Sequence, residues 1–353
     1  MALTWVAGVI GGGLFTLIGA PLAWMLGAMT ATTLLAMSGA PLAGSTTLRN
    51  IMAAVLGVLL GSSFSPEIVQ KLPQWLGVVT ALCVVLCLHG LVAFAYLRLK
   101  ANIPVTDAYF SAAPGGLIEM MLQGDRAGGT VHTIALFHAT RVLAIVAIMP
   151  LSFRLIGGVV PALPGNAHGA FSVSEALWLA GCAGVGLLGA LRLKLPAPYI
   201  VGPLILSAIA HGAGLSHLAP PALLIAAAQV TIGTSIGARF TNVSSQDLRR
   251  VVAHGLISAL IMIAVSLACG WIAAPLLGFP RAALILAFTP GGLAEMSLIA
   301  LSMNIDPALV SAMHAIRILV VVLLATPVYH ALTLWQARTR AAGEPTQSET
   351  TNS

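Results

Sequence analysis

The sequence predicts an all-α polytopic membrane protein made of two homologous repeats, and three observations lead to this fold class. Apolar residues make up 58% of the 353-residue chain and charged residues only 7%, whereas a soluble domain carries about 25% charged residues. The apolar residues form long stretches, and one polar motif inside them occurs twice. So few charges cannot cover a soluble surface, so we expect the chain to lie in lipid, with most charges in loops.

The duplicated motif is Pro-Gly-Gly-Leu-x-Glu-Met, which begins at Pro114 and again at Pro290. Nineteen residues after each glutamate follows His-Ala-x-Arg, first at His138 and then at His314. A duplicated membrane chain that keeps proline, glycines, Glu, His and Arg in both halves is typical of a carrier built from two repeats.

The duplication extends over nearly the whole chain. Trp5-Val6-Ala7-Gly8 matches Trp178-Leu179-Ala180-Gly181, and the offset between matching positions stays between 173 and 176 residues. We therefore predict four units: a first membrane repeat over 1–153, a Gly- and Pro-rich linker over 154–172, a second repeat over 173–335, and a disordered, cytoplasmic tail over 336–353.

Each half contains six apolar segments. In the first half they cover 3–18, 21–38, 50–62, 74–97, 105–123 and 131–153. In the second half they cover 174–191, 197–213, 222–238, 252–277, 282–302 and 308–335.

The basic residues outside these segments indicate how the two halves are oriented. If all six segments of each half crossed the membrane, the fourteen Lys and Arg would divide seven to seven. If the Pro-Gly-Gly segment enters and returns without crossing, each half crosses five times and the second half is inverted. All but Lys71, Arg154 and Arg281 then lie on one face, which is the asymmetry that the positive-inside rule expects. We therefore predict about ten spanning helices plus two broken, re-entrant segments, in a bacterial inner membrane, with both termini cytoplasmic.

The two Pro-Gly-Gly segments are the first candidates for a binding site. Proline removes an N–H donor and glycine loosens the backbone, so both segments should contain a helix break. Broken backbone in lipid is costly unless it is buried in protein or lines a wet cavity. In carriers such breaks mark the binding site, although a segment that serves packing alone would show the same pattern. The candidate substrate- or ion-binding residues are Pro114, Gly115, Gly116, Glu119, His138, Arg141, Pro290, Gly291, Gly292, Glu295, His314 and Arg317.

Three roles compete for Glu119 and Glu295, because an intramembrane carboxylate costs ~2.5–3.5 kcal/mol and needs a partner or a proton. Each could carry protons, bind a cation, or form a structural salt bridge with Arg141 or Arg317. His138 and Arg141 lie three residues apart and share a helix face. The arginine could hold an anion, and the histidine could relay protons or simply be a hydrogen-bonded core residue.

No spacing typical of a metal site, P-loop, hydrolase elbow or dinucleotide site occurs, so we predict no metal, no cofactor and no enzymatic activity. The basic residues are scattered through short loops, and we expect no nucleic-acid partner. The partners that we expect are the lipid bilayer and a small-molecule or ion substrate. Gly- and Met-rich faces would also permit a homodimer.

At the duplicated motif the chain resembles the bacterial AbrB/AidB-regulator membrane family, which also carries the label "putative ammonia monooxygenase". The resemblance covers roughly residues 1–335, and both motif copies are intact. The regulator label implies an effect on gene expression, but the chain has no DNA-reading element, so such an effect would be indirect. The monooxygenase label implies copper or iron, for which the chain offers no convincing ligand set.

Three functions are compatible with these observations. The favoured one is a secondary transporter of a small solute, coupled to protons or a cation. The second is a membrane-embedded regulator or sensor, and the third is an intramembrane metal-dependent oxidase. Arg141 and Arg317 favour an anionic substrate and Glu119 and Glu295 a cationic one, so the sequence leaves the substrate class open.

Overall fold

The structure, a computed structural model, describes residues 1–157, 173–216, 218–241 and 245–343. Within these residues every regular element is a helix. In the first half the helices are α1 (Ala2–Leu17), α2 (Ala23–Met37), α3 (Thr46–Gly61), α4 (Pro66–Lys71), α5 (Trp75–Leu99), α6 (Val105–Ala112), α7 (Leu117–Arg126) and α8 (Val131–Gly157). In the second half they are α9 (Val173–Arg192), α10 (Pro198–Gly212), α11 (Ala222–Gly237), α12 (Ser245–Leu277), α13 (Arg281–Phe288), α14 (Leu293–Ser302) and α15 (Pro307–Gly343).

The segment boundaries differ from the prediction mainly at the ends of the two halves. Helix α15 runs on through 336–343, where the sequence predicts a disordered tail. Helix α8 likewise extends to Gly157, past the predicted start of the linker. The rest of the predicted linker, 158–172, and of the tail, 344–353, lies outside the described residues.

Helix α1 shows why these helices belong in lipid. One of its faces exposes large apolar side chains, namely Leu3, Val6, Ile10, Leu14 and Leu17. Its opposite, buried face carries small residues, namely Thr4, Ala7, Gly8, Gly11 and Gly12. A helix of a soluble protein buries its large apolar side chains, whereas α1 exposes them and buries small residues. Membrane helices pack together in this way.

Helices α1–α3 and α9–α11 pack together into what we call the glycine bundle. Its helices approach so closely that added Cβ atoms would overlap a neighbouring backbone. A Cβ on Gly57 of α3 would meet the carbonyl of Ile200 on α10, and the equivalent Gly233 of α11 would meet the carbonyl of Met25 on α2. The same contact is therefore made twice, each time between helices from different halves.

Helices α5–α8 and α12–α15 pack together into what we call the broken-helix bundle. Helix α5 and its counterpart α12 run antiparallel in it. The hydroxyl of Tyr96 lies 2.9 Å from Nδ1 of His254, and Nε2 of His89 lies 3.1 Å from Oγ of Ser266. The contact earlier in α5, at His89, is therefore made with the later residue of α12, Ser266. Equivalent segments thus run in opposite directions, and the predicted inversion of the second half is confirmed.

In the described part of the chain, five helical segments are long and apolar enough to cross a membrane, namely Pro66–Leu99, Val131–Phe153, Ala222–Phe240, Arg249–Leu277 and Pro307–Gln336. Six further apolar helices have 10–17 residues. A helix of 16 residues is ~24 Å long, somewhat less than the ~30 Å of a hydrocarbon core. The predicted polytopic, all-helical membrane fold is confirmed, whereas the number of ten crossings stays a prediction.

The close packing of the glycine bundle can be tested with two glycines on α1. A Cβ on Gly11 would overlap the carbonyl of Gly27 on α2, whereas a Cβ on Gly13 would meet nothing within 4 Å. We expect Gly11→Ala to destabilise the protein by about 1–3 kcal/mol through overpacking, and Gly13→Ala to leave it unchanged or slightly more stable. The measurement is the thermal unfolding midpoint in detergent, and equal midpoints for the two variants would contradict this packing.

Candidate functional site

Both Pro-Gly-Gly sequences break a helix as predicted. Helix α6 ends at Ala112, and α7 begins at Leu117. Ala113, which precedes the proline, has ψ 125°, and its counterpart Thr289 has ψ 127°. Proline restricts the residue before it to extended conformations, so the helix cannot continue. The break leaves the last carbonyls of α6 and α13 without partners inside their own helices.

Two buried arginines bind these freed carbonyls. The Arg141 guanidinium donates hydrogen bonds to the carbonyl oxygens of Ala113 at 3.1 Å and Gly115 at 3.5 Å. The Arg317 guanidinium donates to the carbonyl oxygen of Thr289 at 3.0 Å and also to that of Gly291. The arginines are only 5% and 2% exposed, and Nε of each lacks a hydrogen-bond acceptor. The backbone break is therefore stabilised by cations that are themselves only partly satisfied.

The two glycines of each motif fill different roles. An added Cβ on Gly116 would overlap the Glu119 carboxylate, and the same holds for Gly292 and Glu295. The second glycine thus leaves room for the carboxylate to fold back over the start of the following helix, where helix N–H groups favour negative charge.

The first glycine of each motif makes room for the motif methionine and for a side chain from the other half of the molecule. A Cβ on Gly115 would lie 3.0 Å from Cε of Met120 and 2.9 Å from Val321 of α15. Met120 and its counterpart Met296 are both 0% exposed. Each motif methionine is therefore packed against its own break, a role that the sequence analysis did not assign.

The two histidines of the repeated motif have different partners. In the first half, Nδ1 of His138 lies 2.8 Å from the Arg141 guanidinium, and Nε2 lies 2.9 Å from the carbonyl oxygen of Phe110. An arginine can only donate, so Nδ1 of His138 accepts, and Nε2 carries the proton. In the second half, both ring nitrogens of His314 face carbonyl oxygens, those of Val310 at 2.8 Å and Thr289 at 3.2 Å. A neutral ring donates to only one of them.

The two glutamates also differ. Oε1 of Glu119 accepts a hydrogen bond of 3.1 Å from the backbone N–H of Ala197, the residue before α10. Glu295 is 8% exposed, and among the described residues no hydrogen bond joins it to Leu22, which occupies the same position before α2. No salt bridge links either glutamate to Arg141 or Arg317 in the described part of the chain. The structural ion pair considered from the sequence is therefore not formed.

The two breaks meet at one cavity of about 150 Å³, which we call the central cavity. Eight of the twelve candidate residues line it, namely Gly115, Gly116, His138, Arg141, Gly291, Gly292, Glu295 and Arg317. The other four lie around it. Glu119 faces α10, His314 is fully buried, Pro114 lines an apolar groove on the other side of the break, and Pro290 is buried beside Thr289.

Arg239 and Ile236, at the end of α11, complete the wall of the central cavity. They belong to the glycine bundle, so the cavity lies between the two bundles. The sequence analysis placed Arg239 among the loop charges that orient the protein, and it missed this position. Its only sequence signal was its place between Gly237 and Phe240, which match Gly61 and Phe64 of the first half.

Two larger grooves of about 540 and 480 Å³ occur elsewhere, and both are apolar. Neither contains a charged residue in its lining. We therefore place the candidate site at the smaller central cavity, where titratable groups from both halves come together. Among the described residues no group of three or more His, Cys, Asp and Glu side chains is arranged to hold a metal ion.

The comparisons with known proteins agree with the resemblance seen in the motif. Residues 24–333 match the family model described as transition state regulatory protein AbrB. The chain is 26% identical over 347 residues to "Uncharacterized protein YhjN" of Bacillus subtilis (strain 168), covering 91% of this chain and 90% of that protein. It is 25% identical over 315 residues to "Putative regulator AbrB" of Escherichia coli (strain K12), covering 88% and 89%.

The contact between the second glycine and the carboxylate can be tested by a double-mutant cycle. We expect Gly116→Ala to lower stability by about 1–3 kcal/mol, because the methyl group overlaps the Glu119 carboxylate. In a Glu119→Ala background the same change should cost little, a coupling of about 0.5–3 kcal/mol. Thermal unfolding of the four proteins measures it. Strictly additive effects would show that the carboxylate does not lie over Gly116.

Proposed function

This chain belongs to the family described as transition state regulatory protein AbrB, and we propose that it is a secondary transporter of the bacterial inner membrane. It moves a small solute coupled to protons or to a cation, and we assign it no catalytic reaction. The single observation that carries this proposal is the meeting of two helix breaks, one from each inverted half, at one cavity with buried ionisable groups. Carriers built from inverted repeats bind their substrates at such places.

The position of the central cavity supports alternating access. One wall comes from the broken-helix bundle and the other from Ile236 and Arg239 of the glycine bundle. Movement of one bundle against the other would therefore change which side of the membrane reaches the cavity.

The unequal glutamates further support this mechanism. Glu119 ties α7 to the start of α10 across the boundary between the bundles, while Glu295 makes no equivalent contact with Leu22 among the described residues. A carrier that is open to one side of the membrane requires its two halves to make unequal contacts, although both contain the same motif. In our proposal Glu119 and Glu295 carry the coupling protons or bind the coupling cation.

The basic residues support the proposed orientation, with both termini in the cytoplasm. The Arg250 guanidinium donates to the carbonyl oxygen of Ala101 at 3.0 Å, two residues from the carbonyl of Ile103 that Arg98 binds. One cluster of buried apolar side chains contains Leu97, Phe240 and Val251, which are neighbours in sequence of three of the eleven basic residues assigned to one face. Residues next to three of these arginines therefore pack into one cluster, as a shared face in a ten-crossing topology would require.

A regulator is the second candidate, because one relative carries the word regulator in its name. Such a protein needs a surface outside the membrane that contacts a signalling partner. The polar segment 336–353, which follows the second repeat, is a candidate for that surface. We do not propose an oxidase, because three metal-ligating side chains do not come together in the part of the chain that is described.

The transporter proposal predicts that neutralising both glutamates abolishes flux. The double variant Glu119→Gln, Glu295→Gln keeps the size of both side chains but removes the titratable groups, so coupled transport should fall at least about tenfold. The measurement uses proteoliposomes that contain a pH-sensitive dye and a panel of small organic acids, amines and metal ions, with and without a sodium gradient. Asp125→Asn is the matched control, because Asp125 lies on α7 but is exposed. Full flux in the double variant would refute transport through this site.

The regulator candidate makes a different prediction. If the chain only signals, deleting 336–353 should remove a transcriptional response while the double glutamine variant keeps it. If the chain is a transporter, the deletion should leave coupled flux intact, because no described residue of 336–343 lines the central cavity. Expression profiling of the two variants beside the flux assay separates the candidates.

A further inference from the structure

The central cavity shares a wall with a second polar cavity, of about 200 Å³, which we call the outer cavity. The outer cavity lies between the start of α3 and the end of α11, and Arg49 and Arg239 are its charged residues. The hydroxyl residues Ser45, Thr46 and Ser235 also line it. Arg239 lines both cavities, so it stands between the outer cavity and the two helix breaks.

The charges along these two cavities are unbalanced. Among the described residues, the outer cavity is lined by two arginines and by no acidic residue. The central cavity is lined by Arg141, Arg239 and Arg317 against the single carboxylate of Glu295. Glu119 is turned toward the N–H of Ala197 and does not line the cavity. Together the two cavities therefore contain four arginines and one glutamate, which attracts anions and repels cations.

Buried N–H donors also surround the central cavity. Arg141 and Arg317 are 5% and 2% exposed, and among the described residues Nε–H of each has no acceptor. The ten-residue helices α7 and α14 begin at the cavity with Gly116 and Gly292 as their N-caps, and the motif glutamates already lie over these helix starts. A cation would instead need several oxygen ligands, and the lining side chains offer only those of Glu295.

Size limits the anion further. The central cavity, of about 150 Å³, is much smaller than the apolar grooves of about 540 and 480 Å³, which favours a small anion. Planar, forked guanidinium groups suit oxyanions and carboxylates best.

We propose that the two cavities form a binding route for a small oxyanion, in which Arg49 and Arg239 receive the anion and Arg141 and Arg317 hold it at the helix breaks. This inference rests on the proposed transport function and names its substrate class. The proposal names an anion as the substrate, whereas the sequence left the substrate class open between anion and cation. It also assigns a role to Arg49 and Arg239.

The test measures thermal stabilisation of the purified full-length protein by sodium salts of acetate, nitrate and sulfate. Ionic strength is kept constant with sodium gluconate, whose anion is bulkier than the three that are tested. We expect at least one small anion to raise the unfolding midpoint saturably, because ligands that bind only the folded state stabilise it. Gluconate alone should have no such effect.

Arginine variants locate the effect. Arg239→Gln and Arg49→Gln should each weaken the apparent affinity about tenfold or more, the usual scale for loss of one charge-assisted contact. Arg239→Lys and Arg49→Lys keep the charge and should retain part of the affinity, which separates loss of binding from loss of folding. Arg192→Gln is the control, because Arg192 is exposed at the end of α9 and lines neither cavity.

Three results would overturn the anion route: no saturable stabilisation by any of the small anions, equal stabilisation by gluconate, or an equal loss in Arg192→Gln. Glutamate-dependent flux of a cation or a neutral solute, without anion stabilisation, would overturn the anion route and leave the transporter intact. Arginine-dependent anion binding without any glutamate-dependent flux would support the anion site and remove the transport function.

Discussion

The structure depends on how two broken helices are tolerated in an apolar environment. Each break frees carbonyl groups that lipid cannot satisfy. Arg141 reaches back 28 residues to Ala113, and Arg317 reaches back the same number to Thr289. This constraint explains why arginine accompanies the Pro-Gly-Gly motif at a fixed distance in both halves.

Satisfying the breaks in this way concentrates positive charge in the middle of the molecule. The guanidinium groups are committed to carbonyls, and the motif glutamates lie over the second glycines instead of pairing with the arginines. The cations therefore lack a direct counter-charge, although unpaired buried charge is expensive. A purely structural arrangement would gain from a salt bridge here. No salt bridge joins these four groups among the described residues, which agrees with the proposed binding of a ligand at this site.

The sequence predicted the features that depend on local pattern or on repetition. The apolar segments predicted the positions of the helices. The two intact motifs predicted the helix breaks and more than half of the cavity lining. Features that arise from packing between the halves could not be predicted. The contact of Glu119 with Ala197, the position of Arg239 at the cavity wall and the contact of Gly115 with Val321 depend on neighbours far apart in sequence. The different partners of His138 and His314 could not be predicted either, because both histidines stand in the same His-Ala-x-Arg motif.

The difference between Glu119 and Glu295 bears on mechanism. A duplicated sequence would give a symmetrical molecule if each motif adopted its best contacts independently, and a symmetrical cavity could not open to one side only. Leu22 and Ala197 both have left-handed backbone conformations before their helices, with φ of 49° and 48°, so both present the same N–H to a motif glutamate. Only Ala197 holds one, Glu119, among the described residues. If the chain transports a solute as we propose, the inverted repeat predicts a second conformation in which Glu295 binds Leu22 and Glu119 faces the cavity.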